Sequence, residues 1–387
     1  MPTILELEIN SLAAGGDGVA RDANGRVTFI PRTAPGDRAR VRTVQETKTF
    51  ARAELVEVLA PGAARVDPPC RHFLAGCGGC QWLHVARADQ LAAKQAIAAG
   101  ALRKLEGLTV HPIADAAPAL GWRRRARFHV GGGSVGLYQL GTHRIVPIDH
   151  CPQLEPALDA AYAAVASTRP PAGELTLLLG HQGDVAVGTT KAWGGAPQLL
   201  GKANIRGLHC GADTHGDPVI EIEPGLWGGP WSFSQASASG NQKLIELTRA
   251  AVGPGAGALL ELYAGAGNLT RSLVAAGWRV TASDLAPPAR PIATDFIAGP
   301  AGEVVERARG PYDAIVLDPP RTGAAEAVDG ILRLAPTTIV YVSCDPATLA
   351  RDATRLAAAG YRATDAWPID LMPQTSHVEV VLRLARN

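Results

Sequence analysis

The stretch that decides the fold is Leu259-Leu-Glu-Leu-Tyr-Ala-Gly265-Ala-Gly267-Asn268-Leu-Thr270. Its apolar half predicts a buried strand, and its glycines predict a tight turn that opens a helix. Such a turn lets a ligand approach the backbone at a helix N-terminus. Thr270 stands where a dinucleotide fingerprint requires a third glycine, so S-adenosylmethionine fits this turn better than a pyrophosphate cofactor. The alternative is a glycine turn that serves packing alone.

Strands and helices alternate around this turn. The pattern predicts helix 241–251, strand 258–263, helix 269–276, strand 279–283, strand 314–317, helix 325–334, strand 338–343 and helix 347–358. That order is typical of a doubly wound, mostly parallel sheet. We therefore predict an α/β, Rossmann-like C-terminal domain over 241–387.

Candidate site residues follow the ends of three predicted strands. Asp284 comes about 20 residues after the glycine turn, where a carboxylate can accept the ribose hydroxyls of an adenosine. Asp318 opens the sequence Asp-Pro-Pro-Arg321. Cys344 precedes Asp345-Pro, a predicted helix start, and helix N–H groups lower a thiol pKa, so a reactive thiolate is expected there. The alternative for Cys344 is a small buried hydrophobic residue.

The first part of the chain has a different pattern. Residues 4–59 alternate apolar and polar over short runs, which Gly15-Gly-Asp-Gly and Pro35-Gly-Asp separate. This predicts short strands in a small closed β-barrel. We place domain boundaries at 1–60, 61–240 and 241–387. The central domain is expected to be β-rich, with helices near 89–104 and 155–167.

Cysteine spacing suggests a metal site in the central domain. Cys70, Cys77 and Cys80 are separated by six and by two residues, and Cys151 follows in Asp149-His-Cys-Pro. Four thiolates suit a 4Fe-4S cluster or tetrahedral zinc. Zinc sites usually show paired two-residue spacings, so we favour iron–sulfur, with four unrelated buried cysteines as the remaining alternative. Cys210 has no partner and no motif.

Charge gives a local indication of a nucleic-acid partner. The net charge is only +1, but the stretch from Arg87 to Arg127 contains eight Lys or Arg and only three Asp or Glu. Within this region, Gly121-Trp-Arg-Arg-Arg-Ala-Arg-Phe128 is suited to phosphate contacts and base stacking. The alternative is a solvated strand whose arginines pair with acids elsewhere. No basic leader or long apolar run is present, so we expect a cytoplasmic protein without a membrane segment.

Together these motifs resemble the RNA uracil-C5 methyltransferases that make 5-methyluridine, over nearly the full chain. The N-terminal strands are similar to that family's small RNA-binding barrel, the TRAM domain. Trp122-Arg-Arg-Arg-Ala-Arg-Phe128 and Gly136-Leu-Tyr with His143-Arg-Ile-Val match its central domain. The resemblance implies 4Fe-4S ligation, as in the family's ribosomal-RNA members, by a set of four cysteines: Cys70, Cys77, Cys80 and Cys151.

The resemblance also implies roles at the active site. Cys344 corresponds to the nucleophile that adds to uracil C6, and Glu379, in Thr375-Ser-His-Val-Glu, to the base that removes the C5 proton. Around S-adenosylmethionine we expect Gln235, Tyr263, Gly265, Asn268, Asp284 and Asp318. The expected substrate is a flipped uridine in structured RNA, with 23S rRNA favoured over tRNA, and the expected state is a monomer.

This chain departs from the family pattern after Asp284. The family usually has Glu there, followed by a helix, whereas Leu285-Ala-Pro-Pro-Ala-Arg-Pro291 cannot form a regular helix. Asp295 is a candidate to cover part of the missing contacts. Two other functions stay open: a non-catalytic RNA-binding or assembly protein, and cytosine-C5 methylation, whose RNA enzymes typically carry a second cysteine where this chain has Asp318.

Overall fold

The N-terminal strands close into a barrel in the computed structural model, which describes residues 3–386. Residues 1, 2 and 387, at the ends of the expected first and third domains, lie outside the described part. The barrel is formed, in the order β1-β2-β3-β5-β4, by β1 (Ile4–Leu12), β2 (Gly18–Arg21), β3 (Val27–Ile30), β4 (Arg38–Glu46) and β5 (Phe50–Ala60). Leu7 and Ile9 point into its core, whereas Glu6 and Glu8, which alternate with them, face solvent. The expected small closed barrel is confirmed.

A second sheet, in the order β10-β9-β8-β11-β12-β13-β14, forms the middle of the molecule. Its strands and the neighbouring elements are α1 (Arg71–Leu74), α2 (Arg87–Leu102), β6 (Thr109–Val110), β7 (Ala114–Asp115), β8 (Arg125–Gly131), β9 (Ser134–Tyr138), β10 (Ile145–Pro147), α3 (Pro156–Ala166), β11 (Gly173–Leu179), β12 (Val185–Thr189), β13 (Ile205–Cys210), β14 (Asp213–Gly216), β15 (Ile220–Glu223) and β16 (Leu226–Gly228), with 3-10 turns at Ala196–Leu199 and Lys202–Asn204. Helix α3 covers this sheet, and Tyr162 stacks on Phe128 with ring centroids 4.2 Å apart.

The C-terminal sheet has the order β19-β18-β17-β20-β21-β23-β22-β6. Its elements are α4 (Ala238–Val252), β17 (Ala258–Leu262), α5 (Thr270–Ala275), β18 (Arg279–Asp284), β19 (Asp295–Ala298), α6 (Ala301–Arg307), β20 (Ala314–Leu317), α7 (Val328–Leu334), β21 (Thr338–Ser343), α8 (Pro346–Ala358), β22 (Tyr361–Asp370) and β23 (Glu379–Arg386). Strands β17 to β21 are parallel, and β23 runs antiparallel between β21 and β22. The predicted Rossmann-like α/β fold is confirmed.

Part of the expected central domain packs on the C-terminal sheet. Strands β6 and β7 pair in parallel with β22, and Ala98 and Leu102 of α2 belong to the same core as Leu356 of α8. Residues 87–115 therefore extend the sheet that carries the candidate site. No helix within residues 3–386 has the length and apolarity needed to span a membrane.

Candidate active site at the carboxyl edge of the C-terminal sheet

Parallel pairing brings three candidate residues to one edge of the sheet. Leu262 pairs with Ser283 and with Leu317, so the residues that follow these strand ends are neighbours. Those residues are Tyr263, Asp284 and Asp318. The chain reverses its winding direction between β17 and β20, which is where open α/β sheets bind ligands.

The antiparallel strand β23 adds the remaining pair. Ser343 is paired with Val380, so Cys344 and Glu379 come next at the adjacent ladder position. Glu379 is only 4% exposed, whereas Cys344 is partly buried. Two residues that the resemblance assigned to nucleophile and base, 35 positions apart in the chain, are thus brought together by the strand register.

The environment of Cys344 differs from the expected one. The predicted helix start is present, but the Asp345 carboxylate itself accepts the N–H groups of Ala347 and Thr348 at 3.0 and 2.9 Å. The helix N-terminus is therefore capped by Asp345. Burial, together with the negative charges of Glu379 and Asp318, raises the pKa of the Cys344 thiol to about 11. The expectation of a lowered thiol pKa is wrong for the protein without its substrate.

Asp318 and Glu379 form a coupled pair of carboxyl groups. Burial raises the pKa of Asp318 to about 7, and burial and the charge of Asp318 raise the pKa of Glu379 well above its usual range. Two nearby carboxyls in a poorly solvated site resist losing both protons. Burial and the nearby like charge therefore both favour the protonated forms of these two carboxyl groups.

Sequence reasoning gave no role to two basic residues near this pair, Arg321 and His377. Arg321 Nη2 lies 3.0 Å from Nε2 of His377, two residues before Glu379. Burial and the charge of Arg321 lower the pKa of His377 to about 4, so its imidazole is neutral at physiological pH. The positive charge of Arg321 also opposes the rise in pKa at Cys344 and Glu379. The Asp-Pro-Pro-Arg sequence was the signal that could have identified Arg321.

The glycine turn has the geometry of a ligand site. Gly265 has a φ of +56°, and a Cβ at that position would meet no atom within 4 Å, so the space beside the turn is open. The N–H of Gly265 donates to Asp284 Oδ2 at 2.8 Å, and the N–H of Leu285 donates to Oδ1 at 2.7 Å. A carboxylate has further lone pairs, so Asp284 can still accept ribose hydroxyls.

The three other residues expected at the cofactor, Asn268, Tyr263 and Gln235, make contacts of different kinds. Both amide atoms of Asn268 pair with Asn241, each hydrogen bond being 2.8 Å long, so this side chain braces α4 against the turn. Tyr263 has a φ of +61°, and its hydroxyl donates to Glu326. Gln235 precedes α4, and its carbonyl accepts from Arg124 Nε at 3.0 Å. Their contacts to a cofactor stay predictions.

Two further acidic residues, Glu261 and Asp295, lie in strands of this sheet. Glu261 is buried in β17, its Oε2 has no hydrogen-bond partner in the described chain, and burial raises its pKa to about 8. The sequence analysis did not single it out, although an acid within an apolar strand is a recognisable signal. Asp295 pairs with Thr281, three ladder positions or roughly 10 Å from Asp284, and its contact with a cofactor stays a prediction.

The four clustered cysteines line one cavity at the start of the central sheet. Cys70, Cys77, Cys80 and Cys151 all face this space, together with Arg123. Burial raises the pKa of Cys80 to about 12, and the charges of the other three thiols contribute to the rise. The N–H groups of Gly79 and Gln153 point to the sulfur atoms of Cys77 and Cys151. No set of three His, Cys, Asp or Glu side chains within 3–386 is arranged to hold a single metal ion.

The arginine-rich stretch is not an exposed RNA-binding face. Trp122 and Phe128 are buried, and Arg124, also buried, forms an ion pair of 2.6 Å with Glu223. Arg127 is exposed and lies 3.5 Å from Glu174. The expectation of base stacking by Trp122 and Phe128 is wrong because both are buried, and Arg124 and Arg127 pair with acids as the alternative expected. Phosphate contacts by the arginines stay a prediction.

Comparisons with known proteins agree with this architecture. Residues 3–56 match the TRAM domain model, and residues 305–387 match the tRNA (uracil-5-)-methyltransferase model. An uncharacterised RNA methyltransferase of Thermosynechococcus vestitus is 32% identical over 99% of this chain and 98% of its own length. The 23S rRNA (uracil(1939)-C(5))-methyltransferase RlmD of Chromohalobacter salexigens is 32% identical over 98% of this chain and 89% of its own.

A solved structure shows the same fold. The Pyrococcus abyssi tRNA (uracil-54, C5)-methyltransferase, crystallised with S-adenosyl-L-homocysteine, superimposes with a TM-score of 0.76 at 22% identity, covering 98% of this chain and 99% of that one. The match extends over the barrel, the central sheet and the C-terminal sheet together. Since full-length relatives at 32% identity share its domains, the chain belongs to the family of TRAM-containing RNA uracil-C5 methyltransferases.

Proposed function

We propose that this protein methylates C5 of a uridine in structured RNA, with S-adenosylmethionine as methyl donor, and that the RNA is 23S ribosomal RNA. The observation that carries the proposal is the juxtaposition of Cys344 and Glu379 beside Asp318 at the ligand-binding edge of the sheet. It also counts against a non-catalytic RNA-binding protein, which would not need these groups together.

The reaction assigns a separate step to each residue. Uracil C5 is a weak nucleophile, and addition of the Cys344 sulfur to C6 turns C5 into an enolate carbon that accepts the methyl group. Glu379 then takes the proton from C5, the C6–S bond breaks, and the C5–C6 double bond reforms. Because the Cys344 pKa is about 11, its thiol proton must leave as the sulfur adds to C6. That proton passes to solvent, so that a carboxylate stays available at Glu379 for the C5 proton.

Three features of this edge support S-adenosylmethionine as the cofactor. S-adenosylmethionine, when bound, supplies an electrophilic methyl group. The open space at Gly265 admits a ligand against the backbone, and Asp284 offers carboxylate oxygens beside it. Tyr263 and Asp318 follow neighbouring strand ends at the same edge, and Asn268 acts indirectly by bracing α4. The family resemblance assigns Gln235 to the same cofactor.

We further propose that the four cysteines hold a 4Fe-4S cluster. The cysteine set has one two-residue spacing and two isolated cysteines, rather than the paired two-residue spacings usual for zinc. In a 4Fe-4S cluster each thiolate binds a different iron, and four thiols that line one cavity suit that arrangement. N–H groups directed at Cys77 and Cys151, and the nearby Arg123, suit an anionic group.

The choice of RNA rests on sequence relatives. Several full-length relatives named as 23S rRNA methyltransferases are 29–32% identical to this chain, whereas the tRNA methyltransferase of P. abyssi is 22% identical. Transfer RNA is the second candidate. RNA binding by the barrel, a monomeric state and a cytoplasmic location complete the proposal.

The decisive experiment is a methyl-transfer assay with labelled S-adenosylmethionine. The substrate is total RNA from cells that lack the protein, followed by mapping of 5-methyluridine. We expect label at one uridine of 23S rRNA. Label in tRNA would redirect the substrate assignment, label in 5-methylcytidine would favour the cytosine reaction, and no incorporation by the wild type would overturn the enzymatic function.

A further inference from the structure

The loop that presents Glu379 is held by residues far from the reacting atoms. This loop, residues 371–378, connects β22 to β23 and ends directly at Glu379. Its middle residue Gln374 has a φ of +66°, a left-handed conformation that costs a non-glycine residue about 1–3 kcal/mol unless the surroundings impose it. The contacts of Gln374 therefore indicate what imposes the loop conformation.

Both the main chain and the side chain of Gln374 form hydrogen bonds with other segments of the protein. Its main-chain N–H donates to Gln90 Oε1 at 3.0 Å, and its side-chain Oε1 accepts from Gln90 Nε2 at 2.8 Å. Its carbonyl accepts the main-chain N–H of Trp82 at 3.0 Å, and its Nε2 donates to the carbonyl of Ala119 at 3.2 Å. Gln90 and Trp82 are fully buried, so water cannot replace these bonds cheaply.

Trp82 connects this loop to two other parts of the molecule. It lies two residues after Cys80, and its indole N–H donates to the carbonyl of Gly16 in the barrel at 3.0 Å. A Cβ on Gly16 would lie 2.8 Å from Gln81 and 3.5 Å from Ser376. The barrel turn, the cysteine segment and the loop before Glu379 thus meet at one buried point.

A second anchor holds the start of the loop. Lys94 and Asp370 are both fully buried, and Lys94 Nζ donates to Asp370 Oδ1 at 2.6 Å and to the carbonyl of Met372 at 3.0 Å. Gln90 and Lys94 lie one turn apart on α2. One face of α2 therefore holds both halves of the loop.

We propose that Gln374 is a positioning residue, which sets Glu379 before Cys344 by tying the loop 371–378 to Gln90 and to Trp82 of the cysteine segment. This rests on the proposed function, because it concerns the step in which Glu379 removes the C5 proton. A loosened loop impairs that step and leaves the earlier addition by Cys344 intact. The reaction then stalls as a methylated covalent adduct between RNA and protein.

The test separates the two steps with two substrates. 23S rRNA transcribed in vitro with 5-fluorouridine has no C5 proton, so its covalent adduct reports addition and methyl transfer alone. The same RNA with ordinary uridine also requires Glu379. The variant Gln90→Met keeps the side-chain volume and removes the hydrogen bonds. The matched control is Gln95→Met on the same helix, since Gln95 donates only to the carbonyl of His111.

For Gln90→Met we expect fluorouridine adduct formation within about twofold of wild type and a turnover on uridine RNA lower by roughly 10- to 100-fold. A denaturant-resistant adduct should accumulate on uridine RNA. Gln95→Met should behave as wild type. A milder variant, Gln374→Gly, accepts the left-handed backbone and keeps the main-chain bonds, so a smaller effect in the same direction is expected.

Equal loss of fluorouridine adduct and of turnover in both Gln90→Met and Gln374→Gly would overturn the positioning role and indicate a general loss of structure. Wild-type turnover in both variants would overturn it as well. If the wild type itself forms no adduct and transfers no methyl group, the proposed function fails, and this inference falls with it.

Discussion

Cys344 and the four cysteines of the central cavity are all thiols in poorly solvated surroundings, but opposite charges face them. Cys344 lies beside two acids, Glu379 and Asp318. The cavity cysteines lie beside cations, since Arg123 acts on Cys80 and Arg32 acts on Cys77. Burial raises the pKa of Cys344 and of the cavity cysteines Cys77, Cys80 and Cys151, so these residues do not hold stable thiolates on their own.

This difference in neighbouring charge indicates what each site is suited to bind. An anionic group bound by four thiolates gains from neighbouring arginines and from the N–H groups directed at the sulfur atoms. A nucleophile that adds to C6 and leaves again needs its thiolate only during those two steps, so a thiol that is neutral at rest is compatible with the reaction. The acids beside Cys344 disfavour a free thiolate, so they favour a sulfur that is protonated as it leaves C6.

Removal of the reactive thiol should have the largest effect. For Cys344→Ala we expect complete loss of methyl transfer and of the denaturant-resistant RNA adduct, because no other group can add to C6. Gel analysis and label incorporation measure both. Cys210→Ala is the matched control, since Cys210 is a buried cysteine of β13 outside either site. Methyl transfer by Cys344→Ala would contradict the assigned nucleophile.

Loss of the base Glu379 should stop the reaction after methyl transfer, at removal of the C5 proton. For Glu379→Gln we expect turnover to fall by about 100- to 10,000-fold, the range typical of a general base, while the covalent adduct accumulates. The same gel assay resolves the two outcomes. An adduct that is absent from Glu379→Gln would assign the proton removal to another group, with Asp318 as the first candidate.

The cavity should lose its cofactor when one thiol is replaced. For Cys80→Ser, purified without oxygen, we expect loss of the visible iron–sulfur absorbance and of bound iron and sulfide. Cys210→Ser should retain both. A colourless wild-type protein with one zinc per chain would refute the cluster, and retention of iron in Cys80→Ser would remove Cys80 from the ligands.

The smallest effect concerns the charge beside Cys344. With a pKa of about 11, roughly 0.1% of Cys344 is thiolate at pH 8, so iodoacetamide should modify it slowly and faster as pH rises toward 11. The charge of Asp318 contributes to the raised pKa of Cys344, so Asp318→Asn should lower that pKa.

We expect labelling of Asp318→Asn at pH 8 to rise by roughly threefold to tenfold, corresponding to about half to one pKa unit. Peptide mass spectrometry separates Cys344 from the other cysteines. The control is Asp329→Asn, because Asp329 is exposed on α7 and pairs with Arg355. Unchanged labelling in Asp318→Asn would show that the charge of Asp318 does not affect the pKa of Cys344.

Local sequence patterns were sufficient for most of the fold. The strands at 314–317 and 338–343 occur where the apolar runs predicted them, and Asp345 caps α8 as expected. The pattern was insufficient for β22 and β23, which the sequence analysis did not assign. Their pairing with β21 and β6 depends on partners distant in the chain, which periodicity alone cannot identify.

The candidate site was only partly predictable for a related reason. Residue type and position at strand ends identified Asp284, Asp318 and Cys344, and the family resemblance added Glu379. The pKa of Cys344 was mispredicted because a helix start was visible in the sequence, whereas Glu379 beside it was not. Trp122 and Phe128 were misjudged because a basic run does not reveal which side chains turn inward.

By itself the sequence determined the element types, the glycine turn, the four-cysteine set and the identity of the groups able to act on uracil, because these depend on residue chemistry and local spacing. Only the tertiary structure decided which charges face each thiol and how Gln374, Trp82 and Gln90 hold the loop before Glu379. Electrostatic and hydrogen-bonding environments depend on distances through space, and these are set by strand register and packing between segments far apart in the chain.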